Sequence, residues 1–320
     1  MRTIKSWCKL IRLGNLVIIF LSQIIVWACL LKPFETILNI TLFLNLKNAI
    51  SIAIGTTLIA AAGYIINDYY DVAIDAVNRP GKAFIGKQLS KKLAFILYVL
   101  LNVIALVIFG VFAFYLGKLI LLIVPVFCVL LLWLYSYRFK RQFVIGNIVV
   151  ASLTALALLI LVSFEPSVWA WISSSEIKDS KGFGRINPLW ILAVYAIFAF
   201  LLNWIREIIK DMEDLKGDAE GGCKTMPIKI GIPATISFVK GLVLVTVLLL
   251  ITSSIGLFFL KEYLLTCIVV LMLVIPLLLV FKGIGESYQV ECFSKYSKFI
   301  KLIMLLGIIT LIIFYFSQYH

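Results

Sequence analysis

The chain has 320 residues, of which 63% are hydrophobic and 14% charged, with a mean hydropathy of +1.10 and a formal net charge of +13. That composition excludes an ordinary soluble domain. It also excludes nucleic acid as the partner of the positive charge, because no basic domain stands outside the apolar runs; the charge reads as membrane topology and as affinity for anionic lipid and phosphate.

Apolar runs near the length that crosses a hydrocarbon core lie at 16–31, 49–66, 93–116, 119–135, 143–164, 189–205, 236–260, 263–281 and 302–316. The expected fold is therefore an all-α integral membrane protein of about nine transmembrane helices, a single domain over 1–320. A basic segment (Arg2, Lys5, Lys9, Arg12) precedes the first run, whose far end, Ala28-Cys29-Leu30-Leu31-Lys32-Pro33, carries no small-x-small cleavage site, so the run reads as a resident helix. With the N-terminus in the cytoplasm, 22 of the 29 Lys and Arg fall on that side, in the N-terminal segment and the loops 67–92, 136–142, 206–240 and 282–301. The six cysteines include no Cys-x-x-Cys pair and read as buried thiols.

Two of these loops break the basic pattern. Loop 67–92 follows the second run and loop 206–235 the sixth, and together they hold nine of the sixteen acidic residues. Each contains aspartates at i, i+3 and i+7: Asp68, Asp71 and Asp75 in the first, Asp211, Asp214 and Asp218 in the second. A Gly- and Lys-containing segment follows each (Arg79-Pro80-Gly81-Lys82; Gly221-Gly222-Cys223-Lys224), which suggests two related halves, about 1–142 and 143–320.

On a helix, each triplet falls within about 60° of arc, and Asn67 joins the first. Three like charges on one face at a membrane surface require a compensating cation. Mg²⁺ suits them: it takes one or two carboxylates, keeps several waters and completes its shell with substrate phosphate oxygens. A single triplet can also be a solvated helix end with lysine partners, though the metal reading is already favoured, and two of identical spacing on one predicted face favour a shared site more strongly. Of the surrounding bases Arg79, Lys82, Lys87, Arg138, Lys140, Arg141, Lys224 and Lys229, most are explained by topology; Lys224 and Arg79, then Arg138 and Lys140, are the candidates to bind and stabilise a leaving diphosphate. The one histidine, His320, leaves no histidine-based site.

Asn67-Asp68-Tyr69-Tyr70-Asp71-Val72-Ala73-Ile74-Asp75 with Asn78-Arg79-Pro80, and Asp214-x-x-x-Asp218 with Gly222-x-Lys224-Thr225, resemble the two motifs of the UbiA superfamily of intramembrane prenyltransferases. The stretch from Arg206 to Asp218 with Thr225-Met226-Pro227-Ile228, and Tyr137-Arg138-x-Lys140-Arg141 to Gly146-Asn147, is similar to its digeranylgeranylglyceryl phosphate synthase branch. One departure is that Gly81-Lys82 stands where the family usually has Ser-Gly, a difference that bears on the acceptor more than on the diphosphate.

The resemblance implies helices ringing a central cavity, capped on the cytoplasmic side by the two acidic loops. It implies Mg²⁺ held by Asn67, Asp68, Asp71, Asp75, Asp211, Asp214 and Asp218, with the diphosphate of a prenyl donor bound by Asn67, Arg79, Lys140 and Lys224. The expected activity is transfer of a polyprenyl group, with geranylgeranyl the expected chain, to a lipophilic acceptor in a prokaryotic cell membrane. A glycerol-phosphate ether lipid is favoured as acceptor over an aromatic ring of quinone or haem O formation. A cation-coupled transporter is the rival from another class, but its carboxylates belong at mid-membrane and these stand at helix ends. A CDP-alcohol phosphotransferase would carry an Asp-Gly-x-x-Ala-Arg signature that is absent.

Overall fold

The computed structural model describes residues 10–38, 41–78, 85–86, 89–173 and 188–319. Inside a bilayer every backbone N–H and C=O must be satisfied within its own segment, and the nine apolar runs accordingly fold as helices. In chain order the helices are α1 (Leu13–Thr36), α2 (Leu46–Tyr70), the short α3 (Val72–Asn78), α4 (Lys91–Tyr115), α5 (Leu119–Tyr137), α6 (Ile145–Ser163), α7 (Pro188–Glu213), the short α8 (Leu215–Glu220), α9 (Met226–Phe259), α10 (Tyr263–Gly283) and α11 (Val290–Gln318). Nine of these, all but α3 and α8, are long and apolar enough to cross a membrane among the described residues.

The helices outrun the apolar runs that predict them. Helix extends into the described parts of loops 67–92 and 206–235: α2 continues to Tyr70, α7 to Glu213, and α9 already begins at Met226, with an interruption at Gly231 before Pro233. A hydropathy run measures only the hydrocarbon crossing, whereas the helix carries on into the headgroup layer, where polar side chains are solvated. Helix starts are fixed locally: Asn45 caps α2 by accepting from the Asn48 N–H at 3.1 Å, and Ser90 caps α4 by accepting from Leu93 at 3.2 Å.

The two helices that carry the acidic motifs are the hubs of the packing. α2 packs on α1, α4 and α5, α7 packs on α6, α9 and α11, and α11 returns to α1, closing the ring. Between them lies an apolar cavity of about 280 Å³.

At the opposite end of the bundle from the acidic motifs, the fully buried Glu165 receives the backbone N–H groups of Leu44 at 2.8 Å, Ser167 at 3.2 Å and Phe43 at 3.4 Å. It thereby ties the start of the short helix Pro166–Ser173 to the turn that leads into α2. Glu165→Ala leaves the buried Leu44 donor without its acceptor, and we expect a loss of about 3 kcal/mol, read as a lower unfolding temperature in detergent, with Glu165→Gln recovering part of it.

Candidate active site

α2 and α7 run in the same direction and deliver their acidic ends to one end of the bundle. Both helices break at the central aspartate. Asp71 ends α2 with φ −92° and ψ 5°, Asp214 follows α7 with φ −92° and ψ 7°, and a short helix resumes immediately after each. The triplets thus do not line one continuous helical face as their spacing predicts; each straddles a bend, with its last aspartate on the short helix. Aspartate competes for backbone N–H groups and is a poor helix former, which suits it to the break.

The two short helices pack against each other. The Gly217 N–H donates to Asn78 Oδ1 at 2.7 Å, and a Cβ on Gly217 would stand 2.5 Å from the Asn78 amide carbon, so only glycine permits the contact. This contact sets Asp75 and Asp218 in the same cap.

Within the first motif, Asp71 is 3% exposed. It accepts from Asn67 Nδ2 at 2.8 Å and from the Lys140 ammonium. Asp68 accepts a long hydrogen bond from the same Asn67 Nδ2, at 3.5 Å, and is held by Arg12 at 3.2 Å. Lys140 arrives on the tight turn Phe139–Arg141, which folds against the start of α6; a Cβ on Gly146 would meet the Phe139 carbonyl oxygen at 2.8 Å. Val144, beside this turn, adopts φ 64°, a conformation β-branched residues avoid.

In the second motif, Asp211 accepts from Asn147 Nδ2 at 2.9 Å, and Asp214 lies 4.0 Å from Lys210. Asp218 is 4% exposed. Burial raises its pKa to about 6, with Lys140 opposing and Asp214 reinforcing the shift. Lys140 shifts upward despite its burial, because Asp71 holds its proton.

Of the bases singled out from sequence, Lys140 stands in the site. Arg138 and Lys224 have exposed side chains, Lys224 touching the turn through its backbone N–H, which donates to the Arg141 carbonyl at 2.8 Å. Arg79 lies outside the described residues, as do Lys82 and Lys87. Arg12, Asn78 and Asn147 were not anticipated as site residues: their partners lie 56, 139 and 64 residues away, and although Asn78 and Asn147 stand in the stretches that carry the family resemblance, nothing local gave any of the three a role.

The donor set fits Mg²⁺ in a particular way. Among the described residues no three carboxylates converge into a ready-made cage. The two clusters instead each offer a few oxygen ligands, brought into one cap by the packing of α3 on α8, as suits an ion that completes its shell with water and phosphate. The cavity opens beneath them, its mouth lined by Arg12, Tyr64, Asn67, Arg206, Glu207 and Lys210 and its far part by apolar groups such as Phe109, Leu158 and Ile160.

A ring of membrane helices with an acidic, cation-flanked mouth over an apolar cavity defines an intramembrane enzyme for a substrate with a charged head and a long apolar tail. The chain belongs to the UbiA prenyltransferase family, whose family model matches residues 25–311. It is 28% identical over 313 residues to the digeranylgeranylglyceryl phosphate synthase of Saccharolobus solfataricus, covering 97% of each chain. It is 34% identical over 217 residues to that of Thermococcus sibiricus, covering 65% of this chain and 66% of the relative. A solved structure described as digeranylgeranylglyceryl phosphate synthase in membranes superposes with a TM-score of 0.65 at 24% identity, covering 99% of this chain and all of that one. A UbiA homolog from Archaeoglobus fulgidus bound to DMAPP and Mg²⁺ superposes with a TM-score of 0.57 at 15% identity, covering 96% and 99%. These likenesses place the fold as that of a prenyltransferase.

Proposed function

We propose that this prenyltransferase transfers a geranylgeranyl group from its diphosphate to the hydroxyl of a glycerol-phosphate ether lipid, in a prokaryotic cell membrane with the site facing the cytoplasm. The observation that carries the reading is the pair of aspartate clusters brought to one end of the bundle, with Lys140 bonded to Asp71 and within reach of Asp218, next to an apolar cavity whose mouth includes Asn67. The relatives' name supports the acceptor: their product carries two geranylgeranyl chains on glyceryl phosphate, so the lipid prenylated carries one. The bias of Lys and Arg toward the same end supports the orientation.

Asn67, Asp68, Asp71, Asp75, Asp211, Asp214 and Asp218 are the ligands for Mg²⁺, which when bound neutralises the diphosphate and draws charge from the allylic C–O bond. Lys140 lies against Asp71 and binds the non-bridging oxygens as that bond breaks, with Arg79, Arg138 and Lys224 as the outer cations. The apolar cavity holds the tail and keeps water from the cationic C1, which the acceptor oxygen attacks as its proton leaves. The two cap helices come from related halves of the chain, about 1–142 and 143–320, a reading supported by the matching bends at Asp71 and Asp214.

The test is purified protein with Mg²⁺, radiolabelled prenyl diphosphates and a panel of glycerol-phosphate lipids and aromatic acids. Ether-lipid product is expected; product on the aromatic acids alone would replace the acceptor, and no diphosphate release with any acceptor sinks the reading. A second expectation concerns pH. Protons and Mg²⁺ compete for Asp218, so with its pKa near 6 this carboxylate alone weakens the apparent Mg²⁺ affinity about fourfold between pH 7.5 and pH 5.5. The half-saturating Mg²⁺ concentration at the two values reads this directly, and an unchanged or tighter value at pH 5.5 contradicts it.

A further inference from the structure

A second group of cations lines the cavity mouth where α1, α7 and α11 meet: Arg12, which also reaches back to Asp68 of the first motif, Arg206 and Lys301. Among the described residues Lys301 has no carboxylate within ion-pairing distance. Its ammonium donates to Asn15 Oδ1 and lies within electrostatic reach of the Arg206 guanidinium. Two like charges facing each other beside an apolar cavity repel, and an anion between them relieves that repulsion.

The two arginines are held ready for such an anion. Arg12 sits in the left-handed region, at φ 51° and ψ 51°, a conformation non-glycine residues keep only where their surroundings enforce it. Its guanidinium packs 4.8 Å over the Tyr64 ring and meets Asp68 at 3.2 Å, while Asn15 also donates to the Tyr64 hydroxyl at 3.2 Å. Arg206 is oriented by its ion pair with Glu207. Each arginine has five N–H donors and makes one of these carboxylate contacts, which leaves N–H groups for a fork-shaped grip on phosphate. Below the three cations the cavity wall carries apolar groups of α1 and α11, through Ile18, Ile19, Met304 and Ile308, and α5 contributes Pro125 and Leu132 elsewhere in the lining.

We propose that Arg12, Arg206 and Lys301 form a second anion subsite, distinct from the diphosphate clamp, which takes the phosphate monoester of the lipid acceptor and lays that lipid's chain along α1 and α11. The proposal rests on the acceptor reading given above. It assigns the two substrates to opposite sides of one mouth, with the acceptor's hydroxyl brought toward C1 of the donor between them.

The experiment compares wild type, Lys301→Met and Lys301→Arg on three measurements: KM for geranylgeranylglyceryl phosphate, KM for the same acceptor without its phosphate, and KM for the prenyl diphosphate. In Lys301→Met, KM for the phosphorylated acceptor rises about tenfold or more, while the donor KM stays within about twofold. The preference for the phosphorylated acceptor shrinks by the same factor, and Lys301→Arg restores it. Inorganic phosphate competes with the acceptor in wild type and loses that competition in Lys301→Met, which separates headgroup recognition from lipid packing. A rise in donor KM with acceptor KM unchanged assigns the cations to the diphosphate clamp and overturns the subsite. An unchanged phosphate preference reduces Lys301 to a topological charge and overturns it as well. A wild-type protein that prenylates only aromatic acceptors removes the acceptor reading itself, an outcome told apart because it appears before any substitution is made.

Discussion

Asp71→Asn lowers prenyl transfer by about three orders of magnitude, the largest effect expected of any single replacement in the site. Asp71 is 3% exposed and receives both Asn67 and Lys140. Asparagine preserves its shape and much of its hydrogen bonding but removes the negative charge. The Lys140 ammonium then loses its hydrogen-bonded carboxylate and keeps only Asp218 within reach, which destabilises by up to about 3 kcal/mol. Loss of activity and loss of fold must therefore be separated. In the double variant Asp71→Asn, Lys140→Met the unpaired charge is gone, so the unfolding temperature recovers while transfer stays absent. Thermal unfolding in detergent beside the transfer rate distinguishes the two; activity of Asp71→Asn within about tenfold of wild type rules out Asp71 as a member of the diphosphate clamp.

Gly217→Val is expected to lower transfer about a hundredfold while leaving the membrane bundle intact. The β-carbon alone would stand 2.5 Å from the Asn78 amide carbon, and the branched methyls add to the overlap. Overpacking of this kind costs about 1–3 kcal/mol and is relieved by displacement. What moves is the pair of cap helices α3 and α8, because the spans beneath them are packed on several sides. Asp75 and Asp218 ride on those helices, so a separation there widens the gap the metal has to bridge. Asn78→Gly removes the side chain in the way, and Gly217→Ala combined with Asn78→Gly is expected to recover part of the activity lost in Gly217→Ala. A fully active Gly217→Val would show that the cap contact has no bearing on the reaction.

What the sequence made legible follows the range of the interactions. Helix number and the two triplets were readable because hydropathy runs and fixed spacings are local patterns. The bends at Asp71 and Asp214 were not: spacing of i, i+3 and i+7 is compatible with an unbroken helix, and only the packed structure shows where the chain turns. The choice among bases was likewise out of reach. Lys140 and Lys224 look alike in a basic loop, yet the turn held against Gly146 carries Lys140 to Asp71, while the Lys224 side chain stays exposed. Arg12 read as one more positive charge at the N-terminus, since nothing local reveals a partner on the next helix. Spacing shows which residues share a segment; packing between distant helices decides which of them meet.

The gathering of the charged groups at one end of the bundle has an electrical consequence. A charge carried across the whole bilayer couples to the membrane potential by about 2.3 kcal/mol per 100 mV, the lever on which voltage sensors depend. Here Arg12, Asp68, Lys140, Asp214 and Lys301 gather toward one end of the bundle, and the cavity beside them is lined mainly by apolar side chains. Diphosphate arrives and departs at that end, so turnover carries no charge through the field. Prenyl transfer in sealed vesicles should therefore run at the same rate whether the membrane is polarised or short-circuited by an ionophore.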